Sequence, residues 1–151
     1  MKSEPSVFSF QNLKEEKNQT TCWNGVRNYQ ARNFMVNDMK IGDEVLFYHS
    51  SCEEPSIQGI CTVSAQAYPD DSAQDSQSKY YDPKSTPEKP IWFMVDLKWK
   101  KDFKKPVSLN EIRKVKKLSN MLLLKKGQRL SIQPVSVSEF KLLCEMGSKQ
   151  N

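Results

Sequence analysis

The stretch EVLFYHS, residues 44–50, places bulky side chains on both of its alternating sides. In an extended chain Val45, Phe47 and His49 point one way, and Leu46, Tyr48 and Ser50 point the other. A one-sided sheet would leave one of these sets polar. Bulk on both sides predicts a strand covered on both faces, as in the wall of a barrel or sandwich.

Other strands fit around it. SIQGICTVSAQAY, 56–68, carries Gly59, which permits a bulge or the close approach of another backbone. IWFMVDLKWKKDF, 91–103, sets Trp92, Met94 and Asp96 against Phe93, Val95, Leu97 and Trp99. A first strand lies in MKSEPSVF and ends at Pro5, and QRLSIQPVS, 128–136, predicts a last one stopped by Pro134.

Short helices are predicted between them. Ser9 caps a turn carrying Phe10 and Leu13, and helical spacing then runs from Arg27 or Asn28 to about Met39, with Gly42 at the exit. Ser108 with Glu111, and Ser136 with Glu139, have capping-box spacing; the second helix carries Phe140, Leu143 and Cys144 on one stripe. NMLLLKKG reads as one more helical turn. Residues 69–90 hold four of the eight prolines and form a long loop, which in a compact domain is usually functional or mobile. The sum is an α+β domain: a small curved mixed β-barrel with short peripheral helices.

With 151 residues the chain suits one domain with a real core. No long apolar run or secretory leader is visible, so an intracellular protein that avoids membranes is expected, cytoplasmic or at the nucleoid in a bacterium and nuclear in a eukaryote. Cys22, Cys52, Cys61 and Cys144 are irregularly spaced and read as free thiols. His49, Cys52 and Cys61 lack the tight pairing of zinc ligands, so no metal is expected.

The net charge of +5 is concentrated late, in KWKKDFKK (98–105), RKVKK (113–117) and KKGQR (125–129). Such clustering suits a polyanion, with Lys100, Lys101, Lys104, Lys105, Lys125, Lys126 and Arg129 as candidate phosphate contacts. A solvated lysine-rich surface would look the same. Enzyme signatures are scarce: one histidine, no nucleophile elbow, no phosphate-cradling glycine loop. A Cys22–His49 dyad is conceivable from composition but nothing else points to it.

Aromatic residues suit binding better, because a planar base stacks on such rings and is read along its edge by polar groups. The segment CWNGVRNYQARNF, 22–34, crowds Trp23, Arg27, Asn28 and Tyr29 beside an Asn-Gly turn and a helix start. On residue chemistry alone two readings stand: Trp23 as a pocket wall, or Trp23 plugging the core while Arg27 meets a carboxylate.

Taken with MKSEP (1–5), TTCWNGVRNYQARNF (20–34), IGDEVLFYHSSCEEP (41–55), AYPD (67–70), YYDP (80–83) and WFMVDL (92–97), the chain resembles the EVE domain family of the PUA-like superfamily. The likeness covers residues 1–147 as a single domain, with 148–151 left as a disordered tail. It implies a PUA-like barrel, no catalysis, no cofactor and a monomer that reads modified bases. The implied ligand is 5-methylcytosine or an oxidised form in DNA; an RNA-binding module acting on tRNA or rRNA is the alternative. The implied pocket is an aromatic cage of Lys2, Ser3, Glu4, Trp23, Val26, Arg27, Asn28, Tyr48, His49 and Ser50. Trp23 is its stacking wall, Asn28 and Ser50 its edge readers, and Arg27 or Lys2 the group for a phosphate or base oxygen. Tyr48, Tyr81 and Trp92 are candidates for the second aromatic. Family members commonly carry an aromatic and an aliphatic residue before the Lys-Ser-Glu-Pro block, so with Met1 at the start a short first strand is expected here.

Overall fold

Both faces of the strand at 44–49 are used. In a computed structural model describing residues 1–150, five strands form one mixed sheet. They are β1 (Lys2–Ser3), β2 (Thr20–Cys22), β3 (Glu44–His49), β4 (Ser56–Pro69) and β5 (Phe93–Ser108), in the spatial order β1-β3-β4-β5-β2. β1 runs parallel to β3, and the remaining pairs are antiparallel.

The sheet is open, which corrects the expected barrel. Its edge strands have two and three residues, too few to ladder with each other across a closing seam. The Lys2 N–H donates instead to the Ser131 carbonyl at 2.8 Å. Curvature comes from β4 and β5, whose pairing is interrupted by four register shifts, and bulges of this kind raise local twist. Gly59 stands at one of them. A Cβ there would collide with the Lys101 carbonyl and the Phe10 ring, so the site both bulges and admits a close neighbour.

Each face of the sheet has its own core. Val45 and Phe47 join Cys61, Val63, Val95 and Leu97, covered by Phe10 and Leu13 of helix α1 (Phe10–Glu15) and by Ala31 and Met35. Leu46 and Tyr48 join Ile57, Ile60, Phe103 and Val107, covered by Ile112 of α3 (Leu109–Arg113) and Leu143 of α4 (Val137–Ser148). Burying a side chain such as Phe47 contributes about 1.5–3 kcal/mol, so the alternation in this one strand ties both layers to the sheet.

Helix α2 (Tyr29–Asn33) is shorter than the predicted run to Met39, because the chain widens into a π-helical turn at Phe34–Asp38. Capping boxes form at Ser9–Asn12 and Ser108–Glu111, while Ser136 accepts the Glu139 N–H. Residues 128–136 are a second correction. Leu130 and Ile132 face inward as in a strand, but the segment is irregular: Pro134 has no N–H, and the neighbouring strand β1 offers only two residues. The expected tail begins at Ser148, the last residue of α4, and Asn151 lies outside the described residues.

Candidate functional site

Where β1 leaves the sheet and β2 runs into the Asn24-Gly25 turn, the chain encloses a cavity of about 660 Å³. Its walls are Lys2, Ser3, Glu4, Val7 and Phe8 with Ser131 on one side and Thr21 to Arg27 with Lys79 and Tyr80 on the other. A concavity of equal volume lies beside Met39, Ile132 and Phe140. Volume alone therefore does not single out a site. Only the first brings aromatic rings from separate segments together with uncommitted charged groups.

Trp23 is held from behind. Its backbone N–H donates to the Val95 carbonyl at 2.8 Å, extending the β2–β5 pairing by one bond. Its ring meets Phe47 edge-on at 5.6 Å and Phe8 at 6.3 Å, and still lines the cavity. The core and pocket readings of Trp23 are thus both realised in one side chain. Gly25 has φ +79°, and a Cβ there would strike the Tyr80 ring. Glycine at this turn supplies the backbone angle and the room for Tyr80 together.

Arg27 meets a carboxylate. Its guanidinium donates to Asp70 Oδ2 and to the Val26 carbonyl at 2.9 Å each, to the Tyr80 carbonyl at 3.0 and 2.8 Å, and to Ser72 Oγ at 3.4 Å. Those five bonds match the five N–H groups of the side chain, leaving none for a phosphate or base. The Asp70 side chain is fully buried and also accepts from the Gly25 N–H and from Ser72. Burial pushes the Asp70 carboxyl up, but bonds from Ser72, Gly25 and Arg27, with the Arg27 charge, outweigh it and hold it below the usual carboxylate value. This ion pair fixes the loop after β4, and with it Tyr80, against the cavity.

The opposite wall differs. The Ser3 carbonyl accepts the Ser50 N–H, and the Glu4 carbonyl accepts the N–H groups of Val7 and Phe8, each at 2.9 Å. Ser3 Oγ donates to the Phe8 carbonyl. The backbone is pinned, yet neither the Lys2 ammonium nor the Glu4 carboxylate enters any of the four ion pairs among the described residues. Burial lowers the Lys2 ammonium.

The cavity gathers Lys2, Ser3, Glu4, Trp23, Val26 and Arg27 from the expected set. Asn28, Tyr48, His49, Ser50, Tyr81 and Trp92 do not line it. Asn28 is the N-cap of α2, its side-chain oxygen accepting the Ala31 N–H at 3.0 Å. Tyr48 faces the second core. His49 Nε2 accepts the Phe10 N–H at 3.0 Å, and Ser50 supports Ser3 through its backbone. Tyr81 is exposed, and Trp92 is buried under Tyr29 with its N–H on Asp82. Among the lining residues outside the expected set, Phe8 and Tyr80 add the aromatic walls and Lys79 a further charge. The Tyr-Tyr pair was the available signal, but which of two neighbours turns inward in an irregular loop has no periodicity to reveal it.

Lys100, Lys101, Lys104, Lys125, Lys126 and Arg129 are exposed, Lys100 is paired with Glu44 at 3.5 Å and Lys105 with Glu111 at 2.8 Å; none lines the cavity. Cys22 does line it, but burial first and then the Asp96 charge push its thiol up, opposite to what an activated nucleophile needs. Among the described residues no group of three or more His, Cys, Asp or Glu is placed to hold a metal, and no helix is long and apolar enough to cross a membrane.

An open mixed sheet with an aromatic-walled cavity beside its two edge strands defines a small α+β domain. The chain belongs to the EVE domain family, whose sequence profile matches residues 1–146. It is 40% identical to human thymocyte nuclear protein 1, an alignment covering 99% of this chain and 73% of that protein. The crystal structure of human THYN1 protein in complex with 5-methylcytosine-containing DNA superposes with a TM-score of 0.92 at 40% identity, covering 100% of this chain and 97% of that one. A Pseudomonas putida crystal structure has the same TM-score at 39% identity, with 97% of each chain covered.

Proposed function

We propose that this protein is a non-catalytic reader of modified DNA that holds one flipped base, 5-methylcytosine or an oxidised form, in the cavity between Trp23 and Tyr80. The observation that carries the reading is the cavity itself: about 660 Å³, aromatic on two sides, with unengaged polar groups on its rim. Pockets for small planar ligands fall in this size range and have this mix of apolar walls and few polar groups. The likeness to a relative crystallised with 5-methylcytosine-containing DNA supports the same ligand here.

Extruding a base costs a few kcal/mol. Stacking on an aromatic ring returns about 1–3 kcal/mol per base. The added methyl contributes on the order of 1 kcal/mol of apolar burial, so preference over cytosine is modest unless the cavity shape excludes the unmodified base. The exposed lysines of β5 and the 125–129 segment supply salt-sensitive attraction to the backbone.

Titration of matched duplexes with and without one 5-methylcytosine tests this. Tighter binding of the modified duplex is expected, with a loss of about five- to a hundredfold in Trp23→Ala. Equal binding of both duplexes, unchanged in Trp23→Ala, would sink the reading.

A further inference from the structure

A reader of 5-methylcytosine faces a rival that its methyl contact cannot reject. Thymine carries the same 5-methyl group on the same pyrimidine ring. The two differ at position 4, an amine donor in cytosine and a carbonyl acceptor in thymine, and at the protonation of the adjoining ring nitrogen. Walls that touch only ring faces and the methyl are blind to that difference. Something on the rim must read the edge.

Charged groups around the cavity are either spent or unspent, and of the unspent ones Lys79 lies over the Tyr80 ring, 5.0 Å from its centroid. Arg27 has spent its five N–H groups, and Asp70 is buried beneath it. The Ser3 hydroxyl hydrogen goes to the Phe8 carbonyl. Lys2 and Glu4, either side of Ser3, line the cavity without a partner. Their backbone is fixed at three points: Lys2 N–H on the Ser131 carbonyl, Ser50 N–H on the Ser3 carbonyl, and the Val7 and Phe8 N–H groups on the Glu4 carbonyl. Glu4, the one carboxylate among the lining residues, is therefore presented from a rigid segment, as a specificity contact requires.

Building on the reader proposal, we infer that Glu4 is the residue that distinguishes 5-methylcytosine from thymine. Its carboxylate accepts from the exocyclic amine of a cytosine, the pairing known for acidic side chains with this base, and it repels the thymine carbonyl. Lys2, a pure donor, meets a base oxygen or the ring nitrogen that cytosine leaves unprotonated. Because methylation and its oxidation leave the amine in place, Glu4 reads cytosine as a class and the ring walls read the substituent.

The test uses oligonucleotides identical except for one position bearing 5-methylcytosine, cytosine or thymine, titrated into wild type, Glu4→Gln and Trp23→Ala. Glutamine keeps the length and can donate as well as accept, and the site is exposed, so the fold is not at stake. Extrusion costs differ between the oligonucleotides but are the same for each variant, so the comparison is of ratios between variants. The expected result is that the preference of 5-methylcytosine over thymine falls about tenfold in Glu4→Gln while the preference over cytosine is unchanged. A 5-methylcytosine-to-thymine ratio unchanged in Glu4→Gln, with Trp23-dependent binding intact, overturns the assignment of Glu4 alone. Binding indifferent to all three bases and to Trp23 overturns the reader proposal and this inference together.

Discussion

The two walls of the cavity carry charge in opposite conditions. On one, Arg27 and Asp70 are joined at 2.9 Å with every guanidinium N–H engaged, and the remaining charge, Lys79, lies over the Tyr80 ring. On the other, Lys2 and Glu4 stand on a pinned backbone with no side-chain partner among the described residues. Saturated charge is scaffold: it has been desolvated and repaid within the chain, so a ligand gains nothing from it. Unsaturated charge at a cavity rim keeps its bonding capacity for something that arrives later. Residue type alone would have ranked Arg27 as the best phosphate ligand, and hydrogen-bond accounting reverses that ranking.

Substitutions should separate the two walls. Asp70→Ala leaves the guanidinium of Arg27, whose side chain is 22% exposed, without its counter-charge. A loss of about 3–5 kcal/mol in chemical denaturation is expected, the usual result of breaking a buried pair from one side. A loss below 1 kcal/mol would mean that the scaffold wall is not one. Lys2→Met should do the reverse. Removing a half-buried, unpaired ammonium leaves stability within about 0.5 kcal/mol of wild type or raises it. Affinity for DNA carrying 5-methylcytosine should fall, by about 1.5–3 kcal/mol for a lost charged hydrogen bond.

The smallest effect is in pH. Burial lowers the His49 imidazole below its ordinary value, and its Nε2 lone pair is in use by the Phe10 N–H. In the unfolded chain His49 takes up a proton near pH 6.5, so as pH falls from there the unfolded state binds more protons and stability declines. Asp70, held below the usual carboxylate range, stays ionised through the same window. Below about pH 6.5 the His49 contact that holds the start of α1 should weaken while the Arg27–Asp70 wall holds. His49→Gln should flatten the decline, measured as urea midpoints across that range.

Legibility followed the range of the contacts. The alternation of Val45, Leu46, Phe47 and Tyr48 announced two covered faces, and the Ser108–Glu111 capping box closes within three residues of itself. What decides an open sheet is the length of β1 and β2, and nothing local in MKSEP or TTC states how many residues will find partners. Leu130 and Ile132 show the same limit: their alternation put both in the core, but a strand also needs a neighbour with free backbone groups. Arg27 reaches 43 residues to Asp70 and 53 to Tyr80, and such separations have no periodicity to read. The family resemblance supplied the neighbourhood of the cavity, with Lys2, Ser3, Glu4, Trp23, Val26 and Arg27 along it. It did not say which of these were already occupied.

The Asp70 carboxylate, by tying Gly25, Arg27 and Ser72 to one another, also bears on the speed of binding. Tyr80 stands in a long loop, the kind of segment that in many proteins must swing shut before a ligand is held. Here Arg27 anchors its carbonyl and the Gly25 turn abuts its ring, contacts made wholly within the chain. The ordering of that wall is completed during folding, so encounter with a ligand waits for no closing motion. For a reader of flipped bases the slow event then belongs to the nucleic acid. Association should accelerate wherever the target base leaves its stack more readily, as in a mismatch or a single strand.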